Sequence, residues 1–175
     1  MATQAVSPFV LKLLTALVEL EALSKQEAVS VEKTFTGYTK GQIDYFLLDE
    51  GLISQEQLLQ ALSVVYQVPS FDVRGYFFET QMLHMFPKEI LLEFEMIPLT
   101  IEEDILIMVV ANPADEELVA VVGNHVAFDV EFNVGLRQEI TDAIEEYYEI
   151  SVAQEQEEVD QEDENFDPSD EDIVE

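Results

Sequence analysis

Apolar residues recur at helical spacing near the start of the chain. Phe9, Leu13, Leu17 and Leu20, flanked by Val10, Leu14 and Val18, form a wide stripe. Ser7 followed by Pro8 reads as the helix start ahead of it, because Ser can accept from orphan amides and Pro at the first position gives up no bond. Ser24 with Glu27 three residues on has the pattern of a capping box, and Ser54 with Gln57 has it again thirty residues later. Each follows an apolar helical segment, Leu11 to Leu23 in one case and Ile43 to Ile53 in the other. Lys12-Leu13-Leu14 then stands opposite Gln42-Ile43-Asp44, Leu17-Val18 opposite Leu47-Leu48, and Glu21-Ala22-Leu23 opposite Gly51-Leu52-Ile53, which predicts a faint internal repeat.

From Pro69 the pattern changes. Ser70 to Val73 reads as a short strand, and Thr80 opens a helical stretch that Pro87 interrupts and that resumes through Ile90, Leu91 and Phe94. Met96 to Ile101 and Ile105 to Val110 are β-rich runs separated by Glu102-Glu103-Asp104, a hairpin. Asp115 is expected to cap a helix carrying Leu118, Val119 and Val122 and stopping at Gly123. Phe128, Val130, Phe132 and Val134 alternate with Asp129, Glu131 and Asn133, a strand with one wet face. Arg137 to Tyr148 is the last predicted helix, with Ile140, Ile144 and Tyr147 at its spacing. The expected fold class is α+β: a helical subdomain over 7–67, a small α/β subdomain with a short mixed sheet over 68–150, and a disordered acidic tail over 151–175.

Charge adds to this picture. The formal net charge is −31, from 38 acidic and 7 basic residues, and twelve of the carboxylates crowd between Glu155 and Glu175, leaving a body of about −19. From Gln154 onward carboxylates without cations bury too little surface to offset ordering entropy, so that segment serves as a docking peptide or as a solubilising brush, with Phe166, Ile173 and Val174 as its only anchors. Lys12, Lys25, Lys33, Lys40, Arg74, Lys88 and Arg137 are scattered among acids, which excludes nucleic acid as a partner and disfavours anionic lipid. The stretch Phe9 to Leu20 is broken by Lys12 and follows no basic segment, so it reads poorly as a signal peptide, and Ile105 to Ala111 is too short to span a bilayer. With no cysteine, the chain reads as soluble and cytoplasmic.

Candidate chemistry is sparse. The six glycines are isolated and no G-x-x-x-x-G-K-[ST] occurs, so a P-loop grip on a triphosphate is excluded. His84 and His125 lack a second ligand at helical spacing and read as structural. Glu102 with Glu103 and Glu145 with Glu146 read as solvated pairs, not as acid and base. The aromatic groups Tyr76-Phe77-Phe78 and Tyr147-Tyr148 read as core before docking surface. The sequence therefore assigns no catalytic, cofactor-binding or metal-ligating residue, and no enzyme emerges.

Ile43 to Leu62, with Leu47-Leu48, Asp49-Glu50-Gly51-Leu52-Ile53-Ser54, Glu56-Gln57-Leu58 and Ala61-Leu62, resembles the helical signature of the GspE/PilB/MshE N-terminal domain family, the N-terminal domain of type II secretion and type IV pilus assembly ATPases. Val68-Pro69, Phe71-Asp72-Val73, Phe86-Pro87-Lys88-Glu89, Ile97-Pro98-Leu99, Ala111-Asn112-Pro113 and Ile144 to Tyr148 follow in the same order, so the likeness runs from about Phe9 to Tyr148, here without the ATPase. The resemblance implies a helical part joined to an α+β part, and a module that links a secretion or pilus machine to the cytoplasmic side of an inner-membrane platform. It also implies cyclic di-GMP as the ligand of some members, which carry Arg-Leu-Gly ahead of the Gly-Leu-Ile element and a Gln after the second Leu. This chain has Lys12-Leu13-Leu14 and Gln42-Ile43-Asp44 in those places, and Val65 where the Gln stands. An arginine fork suits phosphate or guanine, and neither Gln42 nor Asp44 replaces it, so these departures count against cyclic di-GMP. The expected function is that of a non-catalytic adaptor or regulator with a secretion, pilus or motility protein as partner. The alternative is a degenerate cyclic di-GMP sensor.

Overall fold

Two local turns set the first half of the molecule. The computed structural model describes residues 7–36 and 42–164, and in it α1 (Pro8–Glu19) leads to α2 (Lys25–Thr36), as α3 (Ile43–Asp49) leads to α4 (Gln55–Tyr66). Both connections end a helix in the same way. The Ala22 and Leu52 amides donate back to the Leu17 and Leu47 carbonyls, and the Glu21 and Gly51 amides to those of Val18 and Leu48, the paired bonds of a Schellman motif. Both then start the next helix with a capping box. The Ser24 hydroxyl accepts from the Glu27 amide while Glu27 accepts from the Ser24 amide, and Ser54 and Gln57 do the same. The predicted repeat is thus present in hydrogen bonds as well as in sequence. Leu13, Leu17, Leu47 and Leu58 are fully buried between its helices, each contributing about 1.5–3 kcal/mol relative to exposure.

The predicted start at Ser7-Pro8 is realised through the proline alone. Pro8 is the first helical residue, but the Ser7 hydroxyl makes no cap bond; its carbonyl accepts from the Leu11 amide, and at this exposed end water can satisfy the remaining amides.

The second half carries α5 (Thr80–Leu83), α6 (Lys88–Glu93), β1 (Met96–Glu102), β2 (Ile105–Val110), α7 (Leu118–Gly123), β3 (Asp129–Val134) and α8 (Arg137–Glu164). The sheet has the order β1-β2-β3 and is mixed: β1 and β2 are antiparallel, and β2 and β3 parallel, connected through α7. The middle strand β2 is a nearly continuous apolar run, as a strand covered on both sides requires. The hairpin turn is tighter than expected. Glu102 pairs with Ile105, leaving Glu103 and Asp104 to turn at φ of 50° and 68°, the left-handed pair that matches strand twist.

Three expectations are corrected. Ser70 to Val73 is not a strand: one bridge joins Ser70 to Val134, after which Asp72 accepts from the Arg74 amide and guanidinium and Gly75, at φ 70°, turns the chain away. Asp115 does not cap α7; its carboxylate accepts from the amide of Glu117, the residue that immediately precedes the helix. α8 continues past Tyr148, its backbone helical to Glu164. The remainder of the expected tail, 165–175, with Phe166, Ile173 and Val174, lies outside the described residues.

Two buried clusters result. One lies among the sheet, α5 to α8 and Phe78; the other fills the four-helix part and also takes in Val134 and Leu136, from the end of β3 and the start of α8. That sharing brings the helices against the strand ends.

Candidate functional site

The junction leaves an open groove of about 670 Å³. Its walls are apolar: Phe9 and Val10 of α1, Phe35 of α2, Ile43 of α3, and Leu62, Val65 and Tyr66 of α4. Phe9 and Tyr66 face each other with ring centroids 5.7 Å apart. Burial raises the Tyr66 hydroxyl pKa above its ordinary value, against a smaller opposing pull from Arg137. The floor comes from the second half, where Ala111, Asn112 and Ala114 follow β2 and Gly135 follows β3.

Four positions singled out in the sequence for their departure from the nucleotide-binding pattern converge here. Lys12, Gln42, Asp44 and Val65 all line this groove, because the repeat places the starts of α1 and α3 side by side with the end of α4. Joining them is Arg137, at the first position of α8, which the sequence marks as the start of the last helix and one of the scattered cations. Its Nη1 lies 2.5 Å from Glu95 Oε2 and its Nε 3.9 Å from Asp44 Oδ2. Nε is buried and donates to no acceptor among the described residues. The arginine therefore ties α8 to α3 and to the residue before β1, with its fork already turned towards two carboxylates.

The signals that could have exposed Arg137 and Gly135 are positional. Gly135-Leu136-Arg137 sits immediately after a strand and opens a helix, the place where open α/β folds gather ligands. A Cβ on Gly135 would come within 2.5 Å of Val109 Cγ1 and 3.2 Å of Ile140 Cδ1, so only glycine lets β3 pass this close beneath the groove.

The remaining candidates lie elsewhere. His84 and His125 are exposed, and His125 Nδ1 pairs with the Val121 carbonyl at 2.9 Å. Among the described residues no group of three or more His, Asp or Glu could hold a metal ion. Glu102 with Glu103 and Glu145 with Glu146 are solvent-facing. The aromatic groups are mainly core: Phe78 is buried, its amide donates to the Tyr147 hydroxyl, and the two rings meet edge-on at 5.6 Å. Tyr148 donates to the Phe86 carbonyl at 2.9 Å. Tyr76 and Phe77 are the exceptions, 38% and 86% exposed. Among the described residues no helix is long and apolar enough to cross a membrane.

Chemically, the groove offers an extended apolar surface with Lys12 at its edge and a neutralised guanidinium at its base.

Comparison with known proteins agrees with this architecture. The structure of MshE with cdg, cyclic di-GMP, aligns at a TM-score of 0.62 and 20% identity, over 78% of this chain and 98% of the other. The N-terminal domain of XpsE aligns at 0.52 and 22%, over 81% and 97%. At such identity these likenesses concern the fold, and the XpsE match is to an N-terminal domain. Among curated proteins none matches the chain. The profile of the MshEN domain matches residues 66–154, from the end of α4 into α8, and so takes in Gly135 and Arg137 but not Lys12, Gln42, Asp44 or Val65. With just over half of its length inside that match, this chain belongs to the MshEN domain family.

Proposed function

We propose that this chain is a non-catalytic protein-interaction module that engages a component of a secretion, pilus or related motility machine, acting on the cytoplasmic side of the membrane through that partner. The observation that carries this reading is the state of the central groove. Its walls are mainly apolar, and the arginine at its base pairs with Glu95, with Asp44 3.9 Å from its Nε. A dianionic ligand entering there would displace those contacts and meet the Asp44 carboxylate, whereas apolar side chains would meet Phe9, Phe35 and Val65. The family membership supports the secretion or pilus setting.

Affinity capture of the cytoplasmic portions of such machines tests it. Val65→Arg, on a half-buried wall position, is expected to abolish capture while leaving the circular dichroism spectrum unchanged; undiminished capture would sink the reading. Capture with and without residues 154–175 then separates a docking tail from a solubilising one.

A second reading, a degenerate cyclic di-GMP sensor, is favoured by one observation: Lys12 and Arg137 line the same groove, and MshE has been seen with that ligand. Calorimetric titration decides. Micromolar binding that disappears in Lys12→Glu or Gln42→Ala supports the sensor, and the absence of heat supports the adaptor.

A further inference from the structure

The repeat makes two equivalent grooves, and among the described residues only one of them is covered. In the second copy, Asp44, Tyr45, Leu48, Asp49, Gln55 and Leu58 line a groove beside α3 and α4. The start of α8 lies across it. Leu136, buried to 5% exposure, belongs to the helical core there, and Gln55 Nε2 donates to Glu139 Oε1 at 2.7 Å.

Thirty residues earlier, Leu14, Thr15, Val18, Glu19, Lys25 and Ala28 line the matching groove of about 470 Å³ beside α1 and α2. Nothing crosses it among the described residues, and Leu11 and Val29 on its rim are 43% and 49% exposed. Lys25 replaces Gln55 at the position that holds a carboxylate in the covered copy, and among the described residues it makes no ion pair. The groove also bears Glu19 and Glu32, so a carboxylate is welcome at one point only.

We infer that the α1/α2 groove is a docking site for a partner helix whose first turn carries a leucine-like residue followed three positions later by a carboxylate, the spacing of Leu136 and Glu139. The apolar residue would cover Val18 and Ala28 as Leu136 covers the equivalent wall, and the carboxylate would pair with Lys25. A charged donor in place of the amide strengthens that bond, and apolar burial supplies most of the attraction. This deepens the protein-binding reading by naming a second face. The two can fail separately, since capture through the central groove does not require this one.

The test uses the full chain and a fluorescent peptide of residues 134–150, which carries Leu136 and Glu139 in their own helical context. Fluorescence anisotropy is expected to show saturable binding that Lys25→Glu in the protein weakens by about tenfold, that E139K in the peptide weakens likewise, and that the two changes together restore. The same binding should survive Gln55→Ala. Loss in Gln55→Ala with indifference to Lys25→Glu would mean the peptide had displaced α8 from its own groove, and would overturn the inference. So would no binding at all, or sedimentation showing that a second copy of the chain covers Val29 and Leu11.

Discussion

Glu21 and Gly51 occupy the same place in two copies of one turn, each the left-handed residue that closes a helix, at φ of 58° and 64°. Only one of them is the residue type that adopts this conformation without strain. A side chain in this region costs about 1 kcal/mol relative to glycine, and nothing lies within 4 Å of a Cβ at Gly51, so the cost is in the backbone alone. Glu21→Gly should therefore raise stability by about 1 kcal/mol and Gly51→Ala lower it by a similar amount, read as opposite shifts of the urea midpoint at constant slope. A neutral Gly51→Ala would show the turn to be held by something other than its dihedral.

Gly135→Ala is expected to be more damaging for a different reason. The added methyl meets Val109 and Ile140, both fully buried, and neither has room to withdraw. A loss of about 1–3 kcal/mol follows from overpacking. Val109→Ala in the same molecule should recover part of it. Simple additivity of the two changes in a double-mutant cycle would contradict the steric account.

Arg137→Met keeps the side-chain stem and deletes the bridge to Glu95 and Asp44. All three side chains are between about a quarter and a third exposed, so solvent screening limits the expected loss to about 1 kcal/mol. Thermal unfolding at low and high salt provides the check, because the gap between wild type and variant should narrow as salt rises.

Burial raises the pKa of both Tyr148 and Tyr66 above the ordinary phenol value of 10.0. A folded pKa above the unfolded one means that the stabilisation is complete below pH 10 and is lost as pH rises through the folded value. Stability should accordingly fall on the alkaline side. Tyr148→Phe and Tyr66→Phe should each flatten that fall. Phenolate absorbance followed against pH should show both hydroxyls ionising above the ordinary phenol value; ordinary titration of both would refute the assignment.

The parts of this molecule that a reader of the sequence can find are those settled by neighbours. The capping boxes at Ser24 and Ser54 depend on residues three apart, and the alternation from Phe128 to Val134 needs only its own strand. The wet edge of the Glu103-Asp104 turn follows from the same local logic. The groove is of another kind. Lys12, Gln42 and Val65 become neighbours only when the helices of the two repeats pack, and Arg137 joins them only when β3 pairs parallel to β2 and delivers α8 to the base of α3; no local pattern states either pairing. Gly135 looks like any isolated glycine until Val109 is placed beside it. Asp115 and Ser7 each have the chemistry of a cap, but the Asp115 carboxylate accepts from the Glu117 amide ahead of the helix and the Ser7 hydroxyl makes no cap bond.

β1 stands at the end of the strand order and contains Pro98, which has no N–H to offer, followed by a shift of register before Thr100. At the other end, Val134 is already engaged by Pro69 and Phe71, and Asp129 and Glu131 face solvent. A small sheet with an apolar centre is an invitation to polymerise, since each unpaired border can template another molecule. Here one border lacks a continuous ladder and the other repels its own kind, so the stickiness of β2 stays private to a single chain.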